Sequence, residues 1–445
     1  MRHKAGSILW VYIGAGLLLL LLYYSLTAFR AAASPLQQSV EPEPFPKPTL
    51  LFTIPYGDRP ENVLVDTGVF PVEEDETNEE DETNEEVGDE LIEDPCPYDF
   101  RVSWDGKYFY FLEPLNVNDG QVHVYEDLVG GLIKVFDRSG QLVRTINCPE
   151  ELMRGGMSIG PDRRIYLLGD QGDTITVLKP HGTLDAELTE RFRRQLRRLP
   201  PDEDGRSLLR PEYHTVDRFG NLYVKHYQSP EGDKYLVRFN VNGDEPTLLP
   251  MGTEALPARN GKIVSLTPES TENVEVRVYY HTGVVGRRQH PRFGAHRVRV
   301  YGSSGAFERE FSLPAGNLNQ LERNLVRELW EKEFAIIDAR GHIFLPLHPT
   351  QLRLDVYEKT EEFPEGEGHW SVAAYRDWYQ IVEYDSSGGF VGLRASFGKS
   401  AWWSTNGRPL PMNVWDVDRN GNVYYIEFYP SWVGLRVMMA PALRR

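Results

Sequence analysis

The stretch Val216-Asp217-Arg218-Phe219-Gly220-Asn221-Leu222-Tyr223 decides the fold, because the chain repeats it. An apolar run ends at Asp217, Gly220 supplies the positive φ of a tight hairpin turn, and an aromatic ring follows three positions later. The same register lies upstream at Val102 to Phe109, around Gly106, and at Ile159 to Tyr166. Downstream it recurs at Pro257 to Val264, Ile337 to Phe344 and Val417 to Tyr424, around Gly261, Gly341 and Gly421.

A second register alternates with the first at Phe136 to Gly140, Leu178 to Gly182, Phe239 to Gly243, Tyr301 to Gly305 and Tyr384 to Gly388. In each, a ring or Leu stands four residues before Gly. Two hairpins per repeat make a four-stranded antiparallel sheet. Six such sheets around an axis predict an all-β, six-bladed β-propeller over residues 99–445. The sixth repeat supplies a third strand, Val433 to Met439, and no fourth. An open ring would leave an unpaired strand edge. The isolated run Thr49-Leu-Leu-Phe-Thr-Ile54 is similar to the outer strand Gln141 to Ile146 of blade 1 and is expected to close the ring.

These registers resemble those of NHL-repeat and related six-bladed propellers, whose blades read D-x-x-G-x-x-Y-V and then an apolar residue with F-D-x-x-G. The resemblance covers 99–445 and implies a fold rather than an activity. Gly160 and Arg163 depart from it in blade 2, as do long insertions in blades 4 and 5. Some propeller enzymes of this kind hold a metal at one end of the channel, which would make His214, His226 and His348 the ligands to consider. No short His-x-His or Glu-x-x-His spacing supports that, and hydrogen-bonded structural histidines are the expectation. No cofactor is expected, with a divalent metal as the alternative.

Residues 1–30 read as a transmembrane anchor. Arg2 and Lys4 precede an apolar run from Ile8 to Phe29, whose 22 residues are long enough to cross a bilayer. Ala31-Ala32-Ala33 also offers a signal-cleavage site, so cleavage stays open. The basic flank favours a cytoplasmic N-terminus, an extracytoplasmic remainder and no cytoplasmic output domain. The formal charge of −18 is local: residues 61 to 94 hold sixteen Asp and Glu and no Lys or Arg, including the tandem Glu-Asp-Glu-Thr-Asn-Glu of 74–85. Residues 31–98 therefore read as a spacer carrying strand 49–54 and a disordered acidic linker, 61–98. The near-neutral remainder gives no support for nucleic-acid binding. Cys96 and Cys148 are the only cysteines and are expected to form a disulfide if the compartment is oxidising.

The two recurrent Gly turns open on one face of a propeller and are short. Every insertion falls in the connections of the other face: 115–130, 183–212, 268–296, 314–333, 346–378 and 398–413. Long loops in a compact domain concentrate function. Leu184 to Leu199 and Leu318 to Phe334 carry helical apolar spacing and predict two short helices capping that face. Asp416, Asp418, Asn420, Gly421 and Glu427 match a calcium-loop spacing, but strand-like flanks favour a blade turn.

Trp402-Trp403 in a loop, and Arg287, Arg288 and Arg292 in a hairpin tip, are the candidate ligand contacts. Rings stack on sugars or anchor interfaces, and guanidinium groups recognise carboxylate or phosphate. The expected function is a membrane-anchored binding or scaffold module for a protein, peptide or glycan. The rival is a metal-dependent propeller hydrolase or lyase, although no nucleophile motif appears.

Overall fold

The computed structural model describes residues 47–55, 59, 61–62, 65–68, 92–95, 99–116, 128–149, 152, 156–169, 174–200, 209, 214–228, 234–250, 255–268, 273–280, 283–291, 296–313, 325–326, 335–349, 351–352, 374–402, 414–428 and 434–443. The apolar run 8–29 lies outside them; among the described residues no helix is long and apolar enough to cross a membrane. Cys96 and Trp403 also lie outside.

Six antiparallel sheets follow one another from Asp99 and form a six-bladed propeller. Blade 1 runs Asp99–Val102, Tyr108–Asn116, Leu128–Asp137 and Leu142–Cys148, each strand pairing with the next. Blades 3, 4 and 5 repeat that order, and their aromatic and branched side chains fill the spaces between neighbouring sheets. Both sequence registers fold into hairpins closed by a short backbone bond, for example Gly220 N–H to the Asp217 carbonyl at 3.0 Å and Gly388 N–H to that of Asp385, also at 3.0 Å.

The ring closes as the sequence predicted. Thr49–Ile54 pairs with Leu435–Ala440 and completes blade 6 as its outer strand. Phe52 crosses into blade 1, meeting Phe109 edge-on at 5.2 Å and stacking on Phe136 at 6.3 Å between ring centres. Closure thus combines backbone pairing on one side with aromatic burial on the other.

Blade 2 corrects the expectation of four strands everywhere. It has three, Met157–Ile159, Ile165–Leu168 and Ile175–Leu178, and helix α1 (Ala186–Leu196) lies where the fourth would be. The expected helix therefore exists, but it covers a blade edge rather than capping the long-connection face. Its side chains and the backbone of its N-cap replace a strand's hydrogen bonds. The Val177 N–H donates to Thr189 Oγ1 (3.0 Å), the Asp185 N–H to the Val177 carbonyl (2.8 Å), and Arg193 Nε to the Ile175 carbonyl (3.0 Å). An edge strand with its polar groups so occupied no longer templates pairing with another chain. Leu188, Phe192 and Leu196 face inward, with Phe192 between Tyr166 and Phe239.

The second expected helix is not formed as predicted: Leu325–Val326 is a strand pairing with Pro349 and His348. The rest of 318–334 lies outside the described residues. The acidic linker is also not featureless, since Val65–Gly68 pairs with Ile92–Pro95 and brackets the acidic repeat as a hairpin. Leucine spacing and charge density did not reveal either pairing, because both depend on a partner distant in sequence.

Candidate functional site

The innermost strand of each blade lines the axis, and its polar residues bond across blade boundaries. At the start of these strands, Asp99 accepts the Met157 N–H at 2.8 Å, while Arg101 pairs with Asp99 at 3.4 Å and donates to the Met157 carbonyl at 2.8 Å. Ser158 Oγ lies 2.9 Å from the His214 carbonyl and 2.8 Å from His214 Nδ1. A hydroxyl has one proton. Given to the carbonyl, it leaves Nδ1–H as the donor to Oγ. Asp99, Ser158 and His214 are all buried.

At the short-turn end, bonds cross the axis. Arg259 reaches from blade 4 to blade 6, where it pairs with Asp416 and donates to the Val417 carbonyl. Asp416 also accepts the Val102 N–H from blade 1 at 2.9 Å. Trp104 donates its indole N–H to the Ile159 carbonyl at 2.9 Å and accepts the Arg419 N–H at its own carbonyl, with the Arg259 guanidinium 5.7 Å from its ring centre. Buried charges joined in this way hold the blades in register, and any one partner removed would leave the other uncompensated.

In blade 5 the strands Ala374–Tyr384 and Phe390–Trp402 pair along their full length, whereas the neighbouring strand reaches only Gln380 through Leu347. The hairpin therefore projects beyond its blade on the long-connection face, with Trp402 paired to Ala374 at its far end. Blade 4 inserts the hairpin Asn273–Tyr280 with Gly283–Pro291, and Gln351–Leu352 from the blade 5 insertion adds a parallel strand to it. Two insertions from adjacent blades thus share one small sheet.

Arg287 and Arg288 belong to that sheet, opposite Arg277 and Val276. They sit within a strand and not at the hairpin tip, which corrects their expected place. Arg292 lies outside the described residues. His226 and His348 lie on the second strands of blades 3 and 5, near that same face, and only His214 is on an inner strand. Among the described residues no group of three or more His, Cys, Asp or Glu is placed to hold a metal ion. The calcium-like spacing proves to be a hairpin, with Trp415–Val417 and Val423–Phe428 on either side, and its Asp416 and Asp418 are occupied by bonds within the fold. Cys148 is buried, its Sγ 3.7 Å from the Pro149 carbonyl.

Sequence reasoning missed Asp99, Arg101, Ser158, Arg259 and Trp104. Their one signal is position on or just after an inner strand, which exists only once blades are counted.

No family model matches the chain, and no curated protein does. It is similar to the solved structure of a DUF4221 family member from Bacteroides vulgatus, with 10% identity, 78% of this chain and 95% of that one covered, and a TM-score of 0.38. It is also similar to a gluconolactonase from Xanthomonas campestris, at 9% identity, coverage of 77% and 86%, and a TM-score of 0.35. The propeller domain of the Trilobed protease from Pyrococcus furiosus gives 12%, 78% and 84%, and 0.32. None of these likenesses assigns an activity.

Proposed function

We propose that the chain is a single-pass membrane protein whose propeller, related to NHL-type propellers and held outside the cytoplasm, binds a protein, peptide or glycan through its long-connection face. One observation carries this reading: the two ends of the ring are built differently. At one end the described hairpins are short, and Arg259 of blade 4 bonds across the axis to blade 6 while Trp104 of blade 1 bonds to blade 2. At the other, blades 4 and 5 extend hairpins that join in a shared sheet and carry Arg287, Arg288 and Trp402. Aromatic and guanidinium residue types suit recognition of a protein, peptide or glycan. Arg292 and Trp403 belong to the same proposed surface.

His214 Nδ1 and Asp99 are engaged by neighbouring blades, in bonds that hold the ring together. Screening the detergent-solubilised full chain against glycan and peptide arrays tests the proposal. Binding lost in Trp402→Ala/Trp403→Ala supports it; turnover of an array compound that requires added divalent metal would favour the enzyme.

A further inference from the structure

The first sequence register places Arg101, Ser158, Thr215, Leu256, Ile336 and Asp416 at one equivalent position, one residue before each copy begins. They come one from each blade, and all six are buried. An inner strand pairs on one side only, so its free edge forms the wall of the axis. Three of the six reach that edge on the following blade: Asp416 accepts the Val102 N–H, Arg101 donates to the Met157 carbonyl and Ser158 to the His214 carbonyl. The six therefore ring the axis, in two unlike halves. Blades 6, 1, 2 and 3 contribute polar side chains, whereas blades 4 and 5 contribute Leu256 and Ile336. In the order of the blades, Leu256 stands opposite Arg101.

Arg101 is the member whose bonding is incomplete. Its side chain is only 10% exposed, and among the described residues only Nε is engaged, by the Met157 carbonyl at 2.8 Å and by Asp99 at 3.4 Å. The two terminal nitrogens make no hydrogen bond among the described residues, and neither is fully enclosed by protein. The Thr215 hydroxyl, also in a buried side chain, makes none among them either. Donors held out of bulk water are costly unless something accepts them. The charges of the ring are otherwise balanced, Asp99 against Arg101 and Asp416 against Arg259, while His214 is bonded to Ser158 through Nδ1.

We infer that the axis binds a small organic acid at this ring, with its carboxylate on the terminal nitrogens of Arg101 and a short aliphatic body against Leu256 and Ile336. A guanidinium carries donors only, so its ligand presents acceptors, and paired N–H groups match the two oxygens of a carboxylate. Asp99 holds the Nε edge and so fixes which edge of the guanidinium is turned to the ligand. Asp99 also accepts the Met157 N–H at 2.8 Å, which shares its charge with the backbone of blade 2. Thr215 offers a further hydroxyl from the polar half. The apolar half selects the body: a methylene chain gains by burial there, whereas a second charge would lose its hydration without a partner.

Calorimetry on the detergent-solubilised full chain, titrated in turn with butyrate, acetate, butyramide and 4-aminobutyrate, tests the site. Butyrate is expected to bind about tenfold tighter than acetate, through two further buried methylene groups. It should also bind about tenfold tighter than butyramide, which lacks the charge, and than 4-aminobutyrate, which brings an ammonium to the apolar half. Arg101→Gln should abolish butyrate binding. Leu256→Ala disturbs none of the bonds of Arg101, and should keep carboxylate binding while lowering the preference for butyrate over acetate to about threefold. That variant keeps the test decisive should Arg101→Gln fail to fold. No butyrate binding by the folded parent, butyramide bound as tightly as butyrate, or a preference unchanged in Leu256→Ala would overturn the site. Butyrate binding retained in a folded Arg101→Gln would do the same.

Discussion

The phenol of Tyr424 donates to the buried carboxylate of Asp418 across 3.0 Å, six residues back over the turn that joins them. The same carboxylate accepts the N–H of Asn420 at 2.8 Å, the N–H of Asn422 at 3.0 Å and the Asn422 side-chain amide at 2.7 Å. Asp217 and Tyr223 repeat the arrangement at 3.2 Å. Asp418→Ala strands these donors and is expected to destabilise by about 3 kcal/mol, whereas Tyr424→Phe removes one bond and costs about 1 kcal/mol. Urea midpoints at unchanged m-value measure both. Equal effects would show that the carboxylate does not organise the turn.

Ring closure depends on Phe52 and on Gly434. Phe52→Ala empties an aromatic pocket shared with blade 1 and should cost about 3–5 kcal/mol. Gly434 has a φ of 112°, and a Cβ there would run into the carbonyl of Ile54. Gly434→Ala is therefore expected to push the closing strand away and to lower the melting temperature by several degrees. A variant melting with the parent would mean that the strand is not bound there.

Helix α1 makes a narrower prediction. Thr189→Val preserves shape but deprives the Val177 N–H of its acceptor, which costs about 1–3 kcal/mol. Exchange at the Val177 amide should accelerate with it. An unchanged rate would show that another group satisfies that edge.

Glu383 links blade 5 to stability at low pH. Burial raises its carboxyl, but the hydrogen bond from His342 and the charges of Arg394 and Arg340 outweigh that and hold it below its ordinary value of 4.5. A folded-state value below the unfolded one contributes stability above about pH 4.5 that is lost as pH falls further. Arg394 is fully buried and also donates to the Pro441 carbonyl of the C-terminal segment. Glu383→Gln leaves that guanidinium without its counter-charge and is expected to cost about 3–5 kcal/mol at pH 7. Its denaturation midpoint should also vary less with pH below 4.5 than the parent's, and parallel curves would refute the assignment.

The propeller was legible in the sequence because its turns are local: Asp217, Gly220 and Tyr223 act within one hairpin, so their spacing survives in the chain. Closure by Thr49–Ile54 was legible for a different reason, the unmatched edge of blade 6. What failed to show was non-local. Arg163 takes a φ of 66° where other blades use Gly, so the departure in blade 2 is absorbed by backbone strain rather than by a new turn. The third strand of that blade is capped by Thr189 and Arg193, ordinary residues on a helix whose apolar spacing gave no hint of the edge it covers. The axial bonds of Asp99, Ser158, His214 and Arg259 join blades far apart in sequence. Arg287 and Arg288 were expected at a hairpin tip and lie within a strand, which is defined by its partner at 273–280, itself extended by 351–352.

Binding by the long-connection face is tested most directly by photocrosslinking in native membranes, with a photoreactive residue placed singly at Trp402, Arg288 or Asn420 of the full chain. The partner so captured is then measured against three variants: Trp402→Ala/Trp403→Ala, Arg287→Ala/Arg288→Ala/Arg292→Ala, and Asn420→Ala, whose side chain is exposed at the short-turn end. One discrete macromolecular adduct is expected from positions 402 and 288 and none from 420, with affinity falling about thirtyfold in the Trp pair at unchanged melting temperature. A discrete adduct from 420 alone, or affinity lost in Asn420→Ala and kept in both long-face variants, would contradict it.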